Sequence, residues 1–319
     1  MTAHRLAILD DYQDVALRSA DWSRLGPVEV VRFGEHLDAP ELVRRLQGCT
    51  IVVAMRERTA FPRVVLEQLG DLQLLVTTGA ANASIDVAAA NERGVTVCGT
   101  GGSGAPTVEL TWALILAVAR QVPREDAATR AGRWQETVGI QLAGCTLGLW
   151  GLGRVGSRVA TVGTAFGMEV IAWSDNLTDE RAARFGARRV ERDVLLEESD
   201  VLSLHVQLSE RTVGRIGERE LRAMKPSALL VNTSRGPLVH EASLVRALQE
   251  GWLRGVGLDV YDQEPLPPQH PLLSTPNTVL TPHLGYVTEA NYRAFYGDAV
   301  EDVVRYLAGD LVRVVVARR

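Results

Sequence analysis

Three side chains in the last third of the chain have the types that reduction of a carbonyl needs. Arg235 lies in Asn232-Thr233-Ser234-Arg235-Gly236-Pro237, Glu264 in Asp259-Val260-Tyr261-Asp262-Gln263-Glu264-Pro265-Leu266, and His283 in Leu280-Thr281-Pro282-His283-Leu284-Gly285. A hydride delivered to a carbonyl carbon leaves negative charge on the oxygen, which must be held by a fixed positive donor and then receive a proton. Arg235 is the candidate donor and His283 the candidate general acid, or the base in the reverse direction. Glu264 beside the imidazole would favour its protonated form and fix the ring. Each also has a structural reading. Arg235 could pair with a surface acid, Glu264 could cap the loop before Pro265, and His283 could be a hydrogen-bonded histidine after Pro282. Asp259 either holds the amide of a nicotinamide or caps a loop.

A hydride needs a carrier, and the carrier's site is written elsewhere in the chain. Gly151-Leu152-Gly153-Arg154-Val155-Gly156 sits between an apolar run, Thr146 to Trp150, and a helical pattern, Arg158 to Phe166. This is a strand, a glycine turn and a helix start. Gly151 permits the tight turn, Gly153 lets backbone amides approach a pyrophosphate, and Gly156 lets helix and strand pack closely. A second strand-like run, Glu169 to Trp173, ends at Ser174-Asp175, and Asp175 lies 19 residues after Gly156. An acid at that distance can accept a bond from a ribose 2′-hydroxyl, and it would repel a 2′-phosphate. The nearest arginines, Arg181 and Arg184, fall on the following helical stretch. The expectation is NAD, with NADP not excluded.

The elements that must position these residues alternate. Strand-like runs at 6–9, 28–33, 51–55, 72–76 and 95–98 enclose helical patterns at Pro40 to Leu46, Pro62 to Leu69 and Ile85 to Glu92, which predicts a compact parallel-sheet domain. The glycine cluster Gly99 to Gly104 leads through Pro106 into an apolar helix, Val108 to Arg120, read as the crossing into a second domain. Pro123 to Leu142 has no clear period and reads as an extended arm. Further runs at 146–150, 169–174, 201–205, 228–232, 256–260 and 278–281 predict a second doubly wound sheet. Their ends carry Gly151, Asp175, His205, Ser234-Arg235, Asp259 and His283, so the polar residues converge where open α/β sheets bind ligands. Ala290 to Leu307 forms a returning helix, and Leu311 to Val316 would close on the first domain. The expected division is 1–100, 101–286 and 287–319, the first and last parts forming one domain.

Composition narrows the function classes. Among 319 residues the charge is −5 with pI near 5.8, and the 34 basic residues are scattered, which argues against a nucleic-acid surface. No run reaches membrane-spanning length, and the charged first strand is not a signal peptide. The three cysteines, Cys49, Cys98 and Cys145, are read as buried thiols rather than a disulfide frame or zinc cluster; no metal site is expected. A reducing cytoplasm follows from that reading.

The order and wording of these segments resemble the D-isomer-specific 2-hydroxyacid dehydrogenases. The shared runs are Thr146 to Gly156, Met224-Lys225-Pro226 leading to Val231-Asn232-Thr233-Ser234-Arg235-Gly236, Gly257-Leu258-Asp259-Val260 with Glu264-Pro265-Leu266, and Thr281-Pro282-His283. The resemblance covers nearly the whole chain. It implies an α/β fold of two doubly wound parallel-sheet domains, a Rossmann nucleotide-binding domain inserted in a flavodoxin-like substrate domain. It implies Arg235, Glu264 and His283 as the catalytic set and a cofactor set of Gly151, Gly153, Arg154, Val155, Gly156, Ser174, Asp175, His205, Thr233 and Asp259. Thr78-Gly79-Ala80-Ala81 looks like the family's substrate loop, with Gly79 and Ala80 at the positions whose amides bind a carboxylate. Arg56 and Tyr286 stand where they would narrow the pocket, and Asn82-Ala83-Ser84, Val239-His240, Gln207 and Tyr286 depart from the usual pattern. The arm around Trp134 resembles a dimer contact, so a homodimer through the nucleotide-binding domain is implied. The partner expected is a small 2-oxoacid, glyoxylate- or hydroxypyruvate-like or bulkier, with neither nucleic acid nor membrane involved. The rival reading is an NAD(H)-binding corepressor that keeps a similar triad without physiological turnover.

Overall fold

A computed structural model describes residues 4–317. The chain divides into two compact units, one made of the residues up to Ser103 together with those from Val287 onward, the other of Gly104–Tyr286.

The first unit is built on five parallel strands, β1 (Arg5–Ile8), β2 (Glu29–Arg32), β3 (Ile51–Ala54), β4 (Leu74–Thr77) and β5 (Thr96–Gly99), in the order β2-β1-β3-β4-β5. β3 and β4 are apolar without alternation because both of their faces are covered. The flanking helices start where the sequence supplies a cap: Asp38 accepts from Glu41 N before Ala39–Arg45, and Asp86 from Ala89 N before Val87–Glu92. The helix Glu289–Leu307, capped by Thr288, belongs to this unit. Beyond it the tail lies along β5, through an antiparallel bridge between Cys98 and Val314 and a bond from Val315 N to Val97 O of 2.8 Å. Arg313 pins the tail to the helix, its Nε donating to Asp302 Oδ1 at 2.9 Å.

The second unit is a seven-stranded parallel sheet. Its strands are β6 (Thr146–Trp150), β7 (Glu169–Trp173), β8 (Arg188–Arg189), β9 (Val201–Leu204), β10 (Leu229–Asn232), β11 (Gly255–Leu258) and β12 (Thr278–Leu280), ordered β12-β11-β10-β9-β6-β7-β8. Strand order reverses between β6 and β9, the place where doubly wound sheets open a crevice. Both faces are covered by apolar side chains. The long helix Ala105–Ala119 packs Leu114, Ile115 and Val118 with Leu147, Leu149 and Val231 on one, and Leu202, Leu230 and Leu258 gather with Leu244 and Leu248 on the other. Each such side chain contributes roughly 1.5–3 kcal/mol by burial, so the sheet is a stiff platform for the loops at its edge.

Three expectations fail locally. Residues 122–130 form a helix, Val122–Arg130, where an extended arm is expected. Pro123 opens it, an Asp126–Arg130 ion pair at 2.9 Å spans one turn, and only Ala128 is buried, so a helix that is polar all round left no apolar period to read. The irregular arm begins only after Gly132, whose φ of +75° ends the helix region. β8 is two charged residues and carried no strand signal. Cys49 and Cys98 are buried, but Cys145 is partly exposed, its Sγ donating to Gln141 O.

Candidate active site

The glycine turn follows β6, a strand at which order reverses. Gly151 has φ +104°, and a Cβ there would lie 2.5 Å from His205 O; a Cβ on Gly156 would lie 2.1 Å from Gly151 O. Both glycines are therefore demanded by backbone packed against backbone. Gly153 differs: a Cβ built on it meets nothing within 4 Å. The open space is over the turn, at the start of the helix Gly156–Ala165, which has no side-chain cap. Amides at a helix start without a side-chain acceptor suit an anionic group, so the residues present fit a dinucleotide's pyrophosphate. Gly151 N donates to Trp173 O at 2.8 Å, tying the turn to the end of β7, after which Ser174 is half-buried and Asp175 exposed. His205 follows β9 beside the turn; its Nε2 bonds Ser203 Oγ at 2.9 Å, and burial pushes its imidazole down to about 4, so it is neutral at physiological pH. Thr233 is buried and its hydroxyl bonds that of Thr111 at 2.8 Å.

At the far side of the same edge, β10, β11 and β12 are adjacent and parallel, so the loops carrying Arg235, Glu264 and His283 leave in one direction. With strands about 4.8 Å apart, β10 and β12 are separated by roughly 10 Å. His283 Nδ1–H donates to Glu264 Oε2 at 2.5 Å, and Glu264 Oε1 accepts from Tyr261 N at 3.0 Å. One carboxylate oxygen of Glu264 is thus engaged by the imidazole and the other by the backbone of its own loop. With Nδ1 engaged by the carboxylate, any proton exchange between this ring and a bound molecule would have to run through Nε2. Tyr286 packs edge-on against the imidazole, ring centroids 5.6 Å apart, and is itself buried. Arg235 is half-buried in extended conformation, its Nη1 donating to Ser234 O at 2.7 Å.

Asp259 is fully buried and its oxygens accept from Thr281 Oγ1 at 2.6 Å, Leu284 N at 2.6 Å and Gly285 N at 2.8 Å. Burial pushes its carboxyl above the ordinary carboxylate range, and these donors pull it back. Of the two roles open in sequence, loop capping is the one seen in the hydrogen bonds. The capped loop contains His283, which sits at φ +55°, a conformation a non-glycine residue keeps only when its surroundings hold it. Thr281 and Tyr261 carried no role in the sequence reading, and nothing in their spacing could have shown that they bridge two loops.

In the first unit, the residues after β3 and β4 form a small clamp. Arg56, at φ +51°, donates its amide to Thr78 Oγ1 at 2.9 Å, while Asn82 Nδ2 bonds Arg56 O. Gly79, at φ +90°, donates its amide to Thr100 Oγ1 at 2.7 Å, and a Cβ there would collide with the Arg56 guanidinium at 2.2 Å. Arg56 therefore lies against the Gly79-Ala80 loop. Among the described residues no group of His, Cys, Asp or Glu is arranged to hold a metal, and no helix is long and apolar enough to cross a membrane.

The family described as D-isomer specific 2-hydroxyacid dehydrogenase, NAD binding domain, matches residues 112–285, more than half of the chain. The chain belongs to this family. Among its relatives, a glyoxylate reductase of Aeropyrum pernix is 40% identical over 255 residues, covering 77% of this chain and 76% of the relative. A glyoxylate/hydroxypyruvate reductase B of Yersinia enterocolitica is 35% identical over 277 residues, covering 85% and 84%. The crystal structure of a phosphoglycerate oxidoreductase from Vibrio cholerae superposes with a TM-score of 0.91 at 37% identity, covering 96% of this chain and 99% of that one. The chain is an NAD(P)-dependent oxidoreductase that transfers a hydride between cofactor and a 2-oxoacid/2-hydroxyacid pair.

Proposed function

We propose that this 2-hydroxyacid dehydrogenase uses Arg235, Glu264 and His283 as its catalytic residues, prefers NAD, and reduces a small 2-oxoacid of the glyoxylate or hydroxypyruvate type. The observation that supports the reading most is the His283–Glu264 contact of 2.5 Å on the strand edge shared with Arg235 and the glycine turn. Bound NADH supplies the hydride. Arg235 holds the carbonyl oxygen as it gains charge, and His283 Nε2 gives that oxygen its proton, Glu264 steadying the imidazolium through Nδ1. In the oxidative direction His283 receives the proton. Arg56, Gly79 and Ala80 are assigned to the substrate carboxylate, and Tyr286 to the orientation of His283 and the size of the substrate. In the cofactor set, Gly151, Gly153, Arg154, Val155 and Gly156 take the pyrophosphate, Ser174 and Asp175 the ribose, and His205, Thr233 and Asp259 the remaining contacts.

Exposed Asp175 favours NAD, because a carboxylate repels a 2′-phosphate but gains a charged hydrogen bond of roughly 1.5–3 kcal/mol from a ribose hydroxyl. A homodimer through the second unit is supported by Trp134 and Val138, apolar residues 78% and 86% exposed on the arm; a cytoplasmic setting is supported by three unpaired thiols. Turnover of a 2-oxoacid panel with NADH and NADPH, in wild type and Asp175→Ser, tests the whole reading. The expected result is reduction with an NADH preference that narrows roughly tenfold or more in the variant, which is the loss of that one bond. No turnover with any oxoacid would sink the enzymatic reading, and an NADPH preference in wild type would show that Asp175 points elsewhere.

A further inference from the structure

Glu264 and His283 belong to different loops, after β11 and after β12, so their contact depends on something that ties the loops together. We propose that Tyr261 is this tie, a positioning residue that keeps the two in register through its backbone amide and its phenolic hydroxyl. The proposal rests on the roles given above to Glu264 and His283. The amide of Tyr261 donates to Glu264 Oε1 at 3.0 Å, so with Oε2 accepting from His283 at 2.5 Å both carboxylate oxygens are engaged. At the other end of the same residue, the hydroxyl donates to Thr281 O at 3.0 Å and lies 3.3 Å from Leu258 O. Thr281 O also accepts from His283 N at 3.0 Å. The phenol and the histidine amide therefore meet on one carbonyl.

This matters because His283 sits at φ +55° and is set in place by its neighbours. Asp259 holds the far side of the turn through Leu284 and Gly285. Tyr261 holds the near side, and it also touches the acid. Its ring is buried, and burial raises the phenol's pKa, so the hydroxyl remains a donor across the working pH range. A plain space-filling role would be served as well by phenylalanine; the hydroxyl distinguishes the two. Removing it strands no acceptor, since Thr281 O keeps His283 N and Leu258 O keeps Thr281 N at 2.9 Å. Tyr261→Phe should therefore fold.

The test compares wild type, Tyr261→Phe, Glu264→Gln and the double variant. A misplacement of about 1 Å can cost on the order of 10²-fold, and a partial loosening is expected to lower kcat roughly three- to tenfold with the oxoacid KM little changed. The alkaline limb of the reductive pH profile should move to lower pH in Tyr261→Phe, because a looser carboxylate stabilises the imidazolium less. In Glu264→Gln the further change of Tyr261 to Phe should leave the profile where it is. In cofactor-free protein, the downfield proton resonance of the His283–Glu264 bond, identified by its loss in Glu264→Gln, should broaden or move upfield in Tyr261→Phe. A wild-type pH profile with an unchanged resonance, whatever the melting temperature, would reduce Tyr261 to core filling and overturn the proposal. An equal shift in the Glu264→Gln background would overturn it too, by showing another route. If wild type reduces no 2-oxoacid the functional reading falls, while the resonance still judges the tie.

Discussion

The two ends of the second unit's strand edge are made in opposite ways. At β6 and β7 the chain leaves space: Gly153 has nothing over it, the helix Gly156–Ala165 starts without a side-chain cap, and Asp175 is exposed. At β11 and β12 the space is filled with hydrogen bonds, among them three to Asp259, two to the carboxylate of Glu264 and two to the carbonyl of Thr281. The difference fits the tasks proposed for the two ends. A pyrophosphate brings its own acceptors and needs backbone donors kept uncovered, whereas proton transfer needs an imidazole whose position is fixed before the substrate arrives. One end is specified by glycines and the other by a polar network, and changes at the two should fail differently.

The largest expected effect is at the filled end. His283→Ala removes general acid–base catalysis and should lower kcat/KM by roughly 10²–10⁴-fold, with NADH affinity measured by fluorescence titration nearly unchanged. Near wild-type turnover in this variant would refute the assignment of the proton donor, and a collapse of NADH binding would show that the two ends are not separable.

Asp259→Asn comes next. The amide keeps the shape but offers one acceptor oxygen in place of two, and the remaining NH2 must face a backbone N–H of Leu284 or Gly285 or the Thr281 hydroxyl. A buried donor left without its acceptor costs about 1–3 kcal/mol, which thermal or urea unfolding should report as lost stability. The kcat should fall as the His283 turn relaxes. If stability is unchanged, the three bonds do not hold the loop, and the description of this end as a fixed network is wrong.

How much of this was legible before folding depended on the kind of signal. The parallel sheets were readable because strands covered on both faces are apolar runs, and the glycine turn because Gly151 and Gly156 meet backbone that leaves no room for a Cβ. Arg235, Glu264 and His283 could be named from residue type and from their places after strands. What joins them could not. Tyr261 and Thr281 are ordinary loop residues whose partners lie across a strand boundary, and the third hydrogen bond of a buried aspartate has no one-dimensional signature. The helix Val122–Arg130 escaped for a related reason: it has almost no buried face, so periodicity had nothing to report. In this chain the pattern of burial was written in composition, and the polar geometry was not.

The smallest expected effect lies at the open end and separates two glycines three residues apart. Gly153→Ala puts a methyl group where nothing lies within 4 Å, and this residue is not among the glycines at positive φ, so the fold should accept it with an unchanged melting temperature. The same methyl would stand where the backbone is to approach a pyrophosphate, and NADH affinity should weaken by roughly tenfold, the loss of about 1.4 kcal/mol. Gly156→Ala provides the contrast, because its Cβ would lie 2.1 Å from Gly151 O, backbone against backbone with no flexible side chain to yield. That variant should lose stability first and affinity as a consequence. Isothermal titration with NADH beside thermal unfolding of both variants reads the two effects apart. Unweakened NADH binding in a stable Gly153→Ala would mean that the open space over the turn is not where the cofactor lies, and the contrast between the two ends of the edge would have to be drawn elsewhere.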